Sequence, residues 1–415
     1  MERISEAGYT EPTPIQSQAI PQVLSGVDVM GLAQTGTGKT AAFVLPILQR
    51  LLADRKQRRA RALILAPTRE LAEQIHQVVL QFAKATGIRS AVVYGGVSIR
   101  PQVDALRNGA EVIVACPGRL LDHMRQRTVD LRNIEILVLD EADQMFDMGF
   151  LPSIRQIVRN LPRERQTLLF SATMPTEIRS LANEVLKDPV TVQIAHGTPT
   201  ATVAHALYHV EKEQKPKLLL KLISAAEDSV LVFTRTKHQA KRLGQQLERA
   251  GINATSLQGN LSQNKRQRAM DGFRQGKFQV LVATDIAARG IDVASVRLVI
   301  NFDIPSTPEA YTHRIGRTGR AAQTGEAFTF VSREDSRILR AIERALGKRI
   351  ECREAEGLTS AAPLASQIAS DTDSGPRQPQ GQRRRFNGRG RRPMGQRPTG
   401  PRRDNSGNRS STNAQ

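Results

Sequence analysis

A chain of 415 residues is longer than a domain with a single hydrophobic core usually is, so we expect two domains and an extension. Its net charge of +20 and pI near 10.8 favour a polyanionic partner, with nucleic acid as the leading candidate and simple solubility as the alternative. Two cysteines and the lack of a membrane-length apolar run argue against a disulfide-rich secreted protein and against a membrane protein, so we expect a cytoplasmic one.

The first predicted element is a helix over Ile15–Leu24, which follows a proline-containing start. Gln16 lies in its first turn, and a Gln amide can donate and accept hydrogen bonds together, as the adenine edge requires. Taken alone, Gln16 is more simply a solvated helix residue. Its interpretation therefore depends on the segment that follows.

That segment, Ala33–Thr40, has the sequence Ala-Gln-Thr-Gly-Thr-Gly-Lys-Thr. It lies between an apolar run, Val27–Leu32, and a helix-forming run, Ala41–Leu52. Strand, glycine-rich loop and helix in this order form a cradle of backbone N–H groups for a phosphate chain. The strict pattern has glycine at the position of Ala33, and the alternative is an ordinary glycine-rich turn. The completeness of the match favours a nucleotide-binding loop.

Four residues of this loop have specific expected roles. Gly36 and Gly38 allow the backbone to curl closely around an anion, which a Cβ atom would obstruct. Lys39 can reach the β- and γ-phosphates, and the Thr40 hydroxyl can hold Mg²⁺. A nucleotide with Mg²⁺ is therefore the expected cofactor.

Strand-like and helix-like runs alternate after the loop, with the clearest helices at Arg69–Ala85 and Thr176–Leu186. The predicted strands are Ala62–Ala66, Ser90–Tyr94, Glu111–Ala115, Ile134–Leu139, Thr167–Phe170 and Val190–Ile194. They are apolar almost throughout, which is typical of a parallel sheet covered on both faces. The pattern predicts a doubly wound α/β domain that binds its ligand at the carboxyl ends of the strands.

A carboxylate cluster, Asp140–Asp143, directly follows the apolar run Ile136–Leu139. Asp140 is expected to hold Mg²⁺ opposite the phosphate loop, because it ends a buried strand. Glu141 can take a proton from an attacking water. Chance occurrence is the alternative, and the position after an apolar strand weakens it.

A polar, irregular stretch then predicts a linker over residues 196–204, between domains at 1–195 and 205–350. The second domain has these predicted elements: strand Val230–Phe233, helix His238–Ala250, strand Ile252–Leu257, helix Gln263–Arg274, strands Gln279–Ala283 and Arg297–Phe302, helix Pro308–Gly316, strand Glu326–Val331 and helix Asp335–Leu346. It contains no second Gly-Lys-Thr loop, so we expect it to complete the first domain's site.

The segment His313–Arg320 can do so, because its arginines are three residues apart and guanidinium groups suit phosphoryl oxygens. The alternative is a solvated basic stripe. A second segment, Ala283–Asp292, follows a buried strand and should face the same cleft.

The composition changes again in the tail, 351–415. Residues 371–415 contain eleven Arg and three Asp among many Gly, Pro, Gln, Asn and Ser. This composition predicts a disordered, basic tail that tethers RNA, with a solubilising tail as the alternative. The whole chain has no Trp and only four Tyr and twelve Phe, so RNA contact should involve phosphates and sugars with little sequence specificity.

Taken together, the motifs resemble those of the DEAD-box ATP-dependent RNA helicases, over roughly residues 8–350. The segments that match, in the family's order, are Gly8–Gln16, Ala33–Thr40, Pro67–Ala72, Gly95–Gly96, Pro117–Arg119, Asp140–Asp143, Ser171–Thr173, Val232–Thr234, Gln258–Gly259, Ala283–Asp292 and His313–Arg320. Residues 233–237 and the short basic tail are similar to the bacterial RhlE-type branch.

The resemblance implies two tandem RecA-like lobes that bind ATP, Mg²⁺ and RNA between them. It implies catalytic roles for Lys39, Asp140, Glu141, Arg317 and Arg320, with Thr40 and Asp140 at the metal. Nucleotide contacts are implied for Tyr9, Gln16, Thr35, Gly36, Thr37, Gly38, Lys39, Thr40, Gly290 and Asp292. Ser171, Thr173 and His313 match residues that couple ATP-driven closure to strand separation. Contacts to the RNA backbone are implied for Pro67, Thr68, Arg69, Gly96, Gly118, Arg119, Thr234, Gln258, Gly259, Arg266, Thr284 and Asp285.

The implied activity is RNA-stimulated ATP hydrolysis with local, non-processive unwinding of short duplexes or remodelling of ribonucleoproteins. Proteins of ribosome biogenesis or RNA degradation are implied as partners. Two departures are notable: the family usually has Thr at the position of Cys116, and it has an aromatic residue upstream of Gly8 that this sequence lacks. Two alternatives remain open: the same machinery acting on DNA, and a non-enzymatic RNA clamp that depends on the tail.

Overall fold

The computed structural model describes residues 2–34, 36–54, 59–84, 86–194, 203–288, 296–319 and 325–354. Four predicted site residues lie outside these ranges: Thr35, Gly290, Asp292 and Arg320. Most of the predicted linker and the tail from residue 355 onward lie outside them as well. Both predicted domains belong to one compact unit, Met1–Pro363.

The first lobe is built on a sheet of seven parallel strands. They are β1 Val29–Leu32, β2 Ala62–Leu65, β3 Ser90–Val93, β4 Val112–Ala115, β5 Ile136–Leu139, β6 Gln166–Ser171 and β7 Val190–Gln193. The order across the sheet is β3-β4-β2-β5-β6-β1-β7, and each neighbouring pair is parallel. The helices are α1 Glu2–Glu6, α2 Pro14–Leu24, α3 Lys39–Ala53, α4 Arg69–Ala83, α5 Arg100–Arg107, α6 Pro117–Arg125, α7 Ala142–Asp147, α8 Leu151–Val158 and α9 Thr176–Val185.

The second lobe repeats this plan. Its strands are β8 Val203–His209, β9 Val230–Thr234, β10 Ala254–Leu257, β11 Val280–Thr284, β12 Leu298–Asn301, β13 Gly325–Val331 and β14 Glu351–Arg353, in the parallel order β10-β11-β9-β12-β13-β8-β14. Its helices are α10 Lys215–Ser224, α11 Lys237–Arg249, α12 Gln263–Arg274, α13 Asp285–Ala288, α14 Pro308–Ile315 and α15 Ser336–Leu346, with a short 3₁₀ helix at Arg333–Asp335.

Successive residues of the central strands pack into hydrophobic cores on opposite faces of the sheet. In β2, Ile64 belongs to a core with α2, α3 and α4, whereas Leu63 and Leu65 belong to a second core with α6, α8 and α9. All three side chains are fully buried. Strands covered on both faces need apolar residues at every position, which explains their uninterrupted apolar runs.

Three of the helices begin after a threonine whose side chain caps the first turn. The hydroxyl of Thr68 accepts a hydrogen bond from the Leu71 N–H at 3.2 Å and caps α4. Thr236 caps α11 and Thr307 caps α14 in the same way. Each cap satisfies a backbone N–H that has no partner within the helix. The caps therefore fix where α4, α11 and α14 begin.

The predicted α/β class with two parallel sheets is confirmed. The structure differs from the prediction at the second lobe's edge, where β8 begins at Val203 inside the predicted linker and β14 follows the predicted domain end at residue 350. Helix α10 has no counterpart in the prediction. β8 lies between β13 and β14, so pairing with neighbours establishes it although its sequence contains two histidines. Of the helices in the described ranges, none combines the length and apolarity that a membrane span requires.

Candidate nucleotide site and interlobe clefts

The phosphate loop connects β1 to α3, and both of its glycines have left-handed backbone conformations. The φ angles are 87° at Gly36 and 92° at Gly38, which is the residue before α3. A Cβ atom on Gly38 would lie 2.5 Å from the Gln16 Nε2 atom. Glycine at position 38 is therefore required by both conformation and space.

Lys39 and Thr37 are held by the loop itself. The Lys39 Nζ donates to the Ala33 carbonyl at 2.7 Å, and the Lys39 side chain is buried. The Thr37 hydroxyl donates to the Gln34 carbonyl at 2.8 Å. The ammonium group thus lies inside the curled loop, where its charge can meet phosphate oxygens.

Gln16 joins the start of α2 to this loop. Its Oε1 accepts from the Thr13 N–H at 3.0 Å, and its Nε2 donates to the Gly38 carbonyl at 3.1 Å. Only 3 % of the residue is exposed, so the interpretation of Gln16 as a solvated helix residue is wrong. Tyr9 is half-buried and packs against Phe82, with ring centroids 5.8 Å apart.

Asp140 and Glu141 follow β5, which is two strands from the phosphate loop in the sheet order. Asp140 is 2 % exposed, and its Oδ1 accepts from the Glu141 N–H at 3.0 Å. Burial raises the pKa of Asp140 to about 7, against the opposing pull of Lys39. Glu141 has a φ of 51°, a left-handed conformation that costs a non-glycine residue about 1 kcal/mol or more.

Asp143 connects this carboxylate segment to the end of β6. Its Oδ2 accepts from the N–H groups of Ala172 and Thr173 at 3.2 and 2.9 Å, and from the Thr173 hydroxyl at 3.0 Å. The Ser171 hydroxyl accepts from the Asp143 N–H at 3.2 Å, and the Ser171 carbonyl accepts from the Ala33 N–H at 3.1 Å. Residues 171–173 therefore contact both the phosphate loop and the carboxylate segment.

In the second lobe, Arg314 fixes the position of Asp285. Both Asp285 carboxylate oxygens accept from the Arg314 guanidinium, at 2.5 and 2.7 Å. Arg314 also donates to the Asp303 carbonyl at 2.7 Å and stacks over Phe233, 5.1 Å from the ring centre. It is 3 % exposed. Arg314 is therefore a structural residue, although the sequence gives no reason to separate it from Arg317.

Arg317 and His313 line a cleft between the lobes, which we call the nucleotide-side cleft. The first lobe contributes Asp143 and Thr173 to the opposite wall. Arg317 is largely buried, and its N–H donates to the Arg314 carbonyl at 3.1 Å. The cleft therefore brings the coupling residues of one lobe and the predicted arginine of the other to a common space.

Most of the predicted RNA contacts line a second interlobe cleft, which we call the RNA-side cleft. They are Pro67, Thr68, Arg69, Gly118, Arg119, Gly259, Arg266 and Thr284. Gly96 lies beside it, since a Cβ there would collide with the Arg69 guanidinium. The side chains of Thr234 and Gln258 are buried, and the Gln258 Oε1 accepts from the Asn260 N–H at 2.6 Å.

A buried ion pair crosses the RNA-side cleft. The Arg266 Nε donates to the Glu70 Oε1 at 2.7 Å, and both side chains are less than 10 % exposed. The neighbouring Arg69 Nη1 donates to the Gln263 Oε1 at 3.3 Å. The amino ends of α4 and α12 are therefore joined by contacts between the lobes.

Several residues of these sites were missed by the sequence prediction. Glu70 belongs to the matched segment Pro67–Ala72 but had no assigned role, and Asp143 likewise closes the carboxylate cluster. Arg235 and Lys237 add positive charge to the RNA-side cleft. Cys116 lines it too, and burial raises the pKa of its thiol to about 12, so the thiol is neutral at physiological pH.

The described residues contain no group of three or more His, Cys, Asp or Glu that could hold a metal. A nucleotide-bound Mg²⁺ does not require one, because it takes one or two protein oxygens and completes its shell with phosphates and water. A buried carboxylate with a raised pKa, as at Asp140, gains stability from a nearby cation. The buried carboxylate of Asp140 therefore fits Mg²⁺.

Comparison with known proteins gives consistent matches across both lobes. Residues 13–181 match the DEAD/DEAH box helicase family, and residues 214–322 match the helicase conserved C-terminal domain. The ATP-dependent RNA helicase CshA of Limosilactobacillus reuteri is 44% identical over 346 residues, which cover 83% of this chain and 69% of that protein. The DEAD-box ATP-dependent RNA helicase CshA of Bacillus subtilis is 42% identical over 353 residues, covering 85% and 71%.

Among solved structures, S. cerevisiae Dbp5 bound to RNA and ADP BeF3 has a TM-score of 0.75 and 33% identity, and the match covers 85% of this chain and 92% of that one. S. cerevisiae Dbp5 bound to gle1 and ip6 has a TM-score of 0.70 and 32% identity, covering 86% and 92%. The two parallel-sheet lobes are thus RecA-like domains. The chain belongs to the DEAD-box family of ATP-dependent RNA helicases.

Proposed function

We propose that this helicase opens short RNA duplexes locally, by closing its two lobes on ATP and a single RNA strand, and does not travel along the RNA. The observation that supports this most directly is the pair of clefts, each lined by both lobes. A ligand that touches both walls of a cleft stabilises the closed arrangement of the lobes.

ATP is proposed to bind to the phosphate loop, with Gly36 and Gly38 shaping the cradle and Lys39 neutralising phosphate charge. Gln16 is assigned to the adenine edge, and its amide also holds the Gly38 carbonyl at the start of α3. The ribose-side roles of Gly290 and Asp292 remain predictions. The structure of Dbp5 with RNA and ADP BeF3 supports joint binding of nucleotide and RNA in this fold.

For hydrolysis, we assign Glu141 to accept a proton from the attacking water, and Arg317 and Arg320 to stabilise charge on the transferred phosphoryl group. Asp140 and Thr40 would hold Mg²⁺, which supplies charge neutralisation at the phosphates when it is bound. The Arg317 side chain already lines the nucleotide-side cleft opposite Thr173. Movement of the second lobe towards the phosphate loop is proposed to bring it to the phosphates.

Coupling between the two clefts is assigned to residues 171–173 and His313. The hydrogen bonds from Ala33 to Ser171 and from Thr173 to Asp143 run from the phosphate loop to the nucleotide-side cleft. A change in loop conformation on hydrolysis is thereby transmitted to the wall that faces the second lobe. RNA release follows when the contacts across the cleft are lost.

The RNA-side cleft is assigned to the sugar–phosphate backbone of one RNA strand. Arg69, Arg119 and Lys237 supply positive charge, and no aromatic side chain except Phe150 is found among its described lining. Such a lining favours phosphate contact over base reading. The duplex then opens because a strand held in this cleft is no longer free to pair regularly.

The branch and the pathway are less defined than the activity. The two bacterial relatives described above are named CshA, so the RhlE-type assignment rests only on residues 233–237 and the composition of the tail. A cytoplasmic location and a role in ribosome biogenesis or RNA degradation remain predictions.

Glu141→Gln tests the proposed mechanism most directly. The variant should bind ATP and RNA normally but lose at least a hundredfold of RNA-stimulated ATP hydrolysis, because a general base typically contributes that much. Glu177→Gln, an exposed carboxylate in the first turn of α9, is the matched control. Arg320→Ala should likewise retain folding and lose turnover. Normal RNA-stimulated hydrolysis in either site variant would remove that residue from its assigned role.

A further inference from the structure

A basic pocket lies in the first lobe, away from both clefts. We call it the back-edge pocket, and its charged lining consists of Arg59, Arg107, Arg127, Arg132 and Asp130. Ala60, Ala110 and Asn133 also line it, and they precede β2, β4 and β5 respectively. These three strands are neighbours in the sheet. The pocket therefore lies at the amino ends of the strands.

The two clefts lie at the opposite edge, because their first-lobe residues follow the carboxyl ends of the strands. Strands of four residues are about 13 Å long, so most of the length of a strand separates the back-edge pocket from the clefts. It cannot be an extension of either cleft. It is a separate feature of the same lobe.

The charges of the back-edge pocket are only partly balanced. Arg132 forms a two-pronged ion pair with Asp130, at 3.0 and 2.8 Å, which lowers the pKa of Asp130 to about 2. Arg59, Arg107 and Arg127 are exposed. The charge of Arg59 also acts on Asp130, whereas the side chains of Arg107 and Arg127 make no hydrogen bond or ion pair with a described residue.

The backbone at Arg127 supports a role for its side chain. Arg127 has a φ of 53° just after α6, a position that glycine usually occupies. An arginine there costs about 1 kcal/mol in backbone conformation. The chain therefore presents a guanidinium group to the pocket from a position where the fold alone favours glycine.

We propose that the back-edge pocket binds phosphates of the RNA that flanks the strand held in the RNA-side cleft. Planar guanidinium groups suit phosphate oxygens, and the exposed ones of Arg107 and Arg127 make no hydrogen bond or ion pair with a described residue. The lining contains no aromatic side chain of the kind that dominates protein–protein contacts. An RNA already held in the cleft also presents its flanking phosphates at high local concentration.

The test compares two labelled single-stranded RNAs, one of about six nucleotides and one of about twenty, with the full chain and a non-hydrolysable ATP analogue. The double variant Arg107→Gln, Arg127→Gln removes two positive charges from the pocket. Each lost phosphate contact should flatten the slope of log affinity against log salt by about 0.7. At 0.1 M salt this corresponds to about a 25-fold loss for the long RNA from two contacts, while the short RNA is unaffected.

Arg337→Gln, Arg344→Gln is the matched control, since both residues are exposed on α15 and line neither cleft nor the pocket. It changes the net charge equally and should leave both affinities unchanged. An equal loss for short and long RNA would overturn the proposal, and so would an unchanged affinity for the long one. If the double variant melts at a lower temperature than the parent, Arg107→Gln alone should still give about a fivefold loss for the long RNA.

Discussion

At the residue scale, the ion pair between Glu70 and Arg266 has an unusual position, because it is buried and yet joins two separate lobes. Arg266 was expected to contact RNA, but in this structure its Nε is engaged by a carboxylate of the other lobe at 2.7 Å. Removing one partner from a buried pair costs about 3–5 kcal/mol, mainly because the remaining charge stays buried without its counter-charge. Because the two residues belong to different lobes, the loss weakens the contact between the lobes and leaves the fold of each lobe intact.

We therefore expect Glu70→Gln to lower RNA-stimulated ATP hydrolysis by at least tenfold while each lobe remains folded. The same change at Glu73, on the same helix and with partners inside the first lobe, should have little effect. A double-mutant cycle with Arg266→Met measures the pair directly, and a coupling energy near zero would show that the contact does not support closure.

Residues of the same type within one motif can have different roles, and the sequence alone does not distinguish them. Arg314 and Arg317 are three residues apart, chemically identical and both in the lining of the nucleotide-side cleft, yet the Arg314 guanidinium is tied to Asp285 and to the Asp303 carbonyl. These two partners are distant from Arg314 in sequence, so its structural role could not be predicted from the motif. Gln16 is a similar case, since its contacts with the Thr13 N–H and the Gly38 carbonyl could not be predicted from the sequence.

At the element scale, the helices α5 and α6 are connected through one buried histidine. The His123 ring on α6 is fully buried between the Thr128 hydroxyl, at 2.8 Å, and the Gln102 side chain of α5, at 3.3 Å. Burial lowers the pKa of His123, and Arg119 adds to the effect. The neutral ring is therefore part of the packing between these two helices.

A histidine whose pKa is lowered by folding binds protons less readily in the folded state than in the unfolded one. Its contribution to stability is present above its ordinary pKa of about 6.5 and is lost as the pH falls below that value. We expect the free energy of unfolding to fall by up to about 1.4 kcal/mol per pH unit below that pKa through this residue.

His123→Gln should have a lower stability at neutral pH but a shallower decline towards pH 5. Urea unfolding at about pH 7.5 and pH 5 measures both quantities. The exposed His238 of α11, for which substitution should leave the pH dependence unchanged, provides the control. An identical decline in the His123→Gln variant and in the parent would exclude His123 as a source of acid sensitivity.

Most central strands of both lobes were predictable, because strands covered on both faces must be apolar at every position. β8, α10 and β14 were not. β14 has the sequence Glu-Cys-Arg, in which the first and last residues are charged. It forms a strand because it pairs with the edge of β8. Helix α10 contains several lysines, although Leu218 and Leu219 are buried against the sheet. Such elements are decided by neighbours that are distant in sequence.

At the scale of the whole molecule, the boundary between the second lobe and the tail can be located by β14. Residues 351–353 pair in parallel with β8, and the Arg353 guanidinium lies 5.5 Å from the centre of the Phe328 ring. The composition changes gradually here, so the sequence alone predicted a domain end at residue 350. The pairing indicates that the lobe continues through Arg353.

Two truncations that differ by four residues test this boundary. A chain that ends after Glu354 retains β14, whereas one that ends after Ile350 removes it and exposes the outer edge of β8. The loss of about three backbone hydrogen bonds and the packing of Arg353 should lower the free energy of unfolding by roughly 1–3 kcal/mol. Thermal melting of both chains, beside the full-length protein, measures the difference.

The chain that ends after Glu354 also tests whether the tail is needed for ATP hydrolysis or only for RNA binding. RNA-stimulated ATP hydrolysis should persist in the chain that ends after Glu354, because both clefts and the phosphate loop lie before that residue. Its affinity for long RNA should nevertheless fall, since the eleven arginines of residues 371–415 are gone. Loss of all RNA-stimulated hydrolysis in this chain would mean that the tail belongs to the catalytic machinery, and equal melting temperatures of the two truncations would show that β14 does not stabilise the lobe.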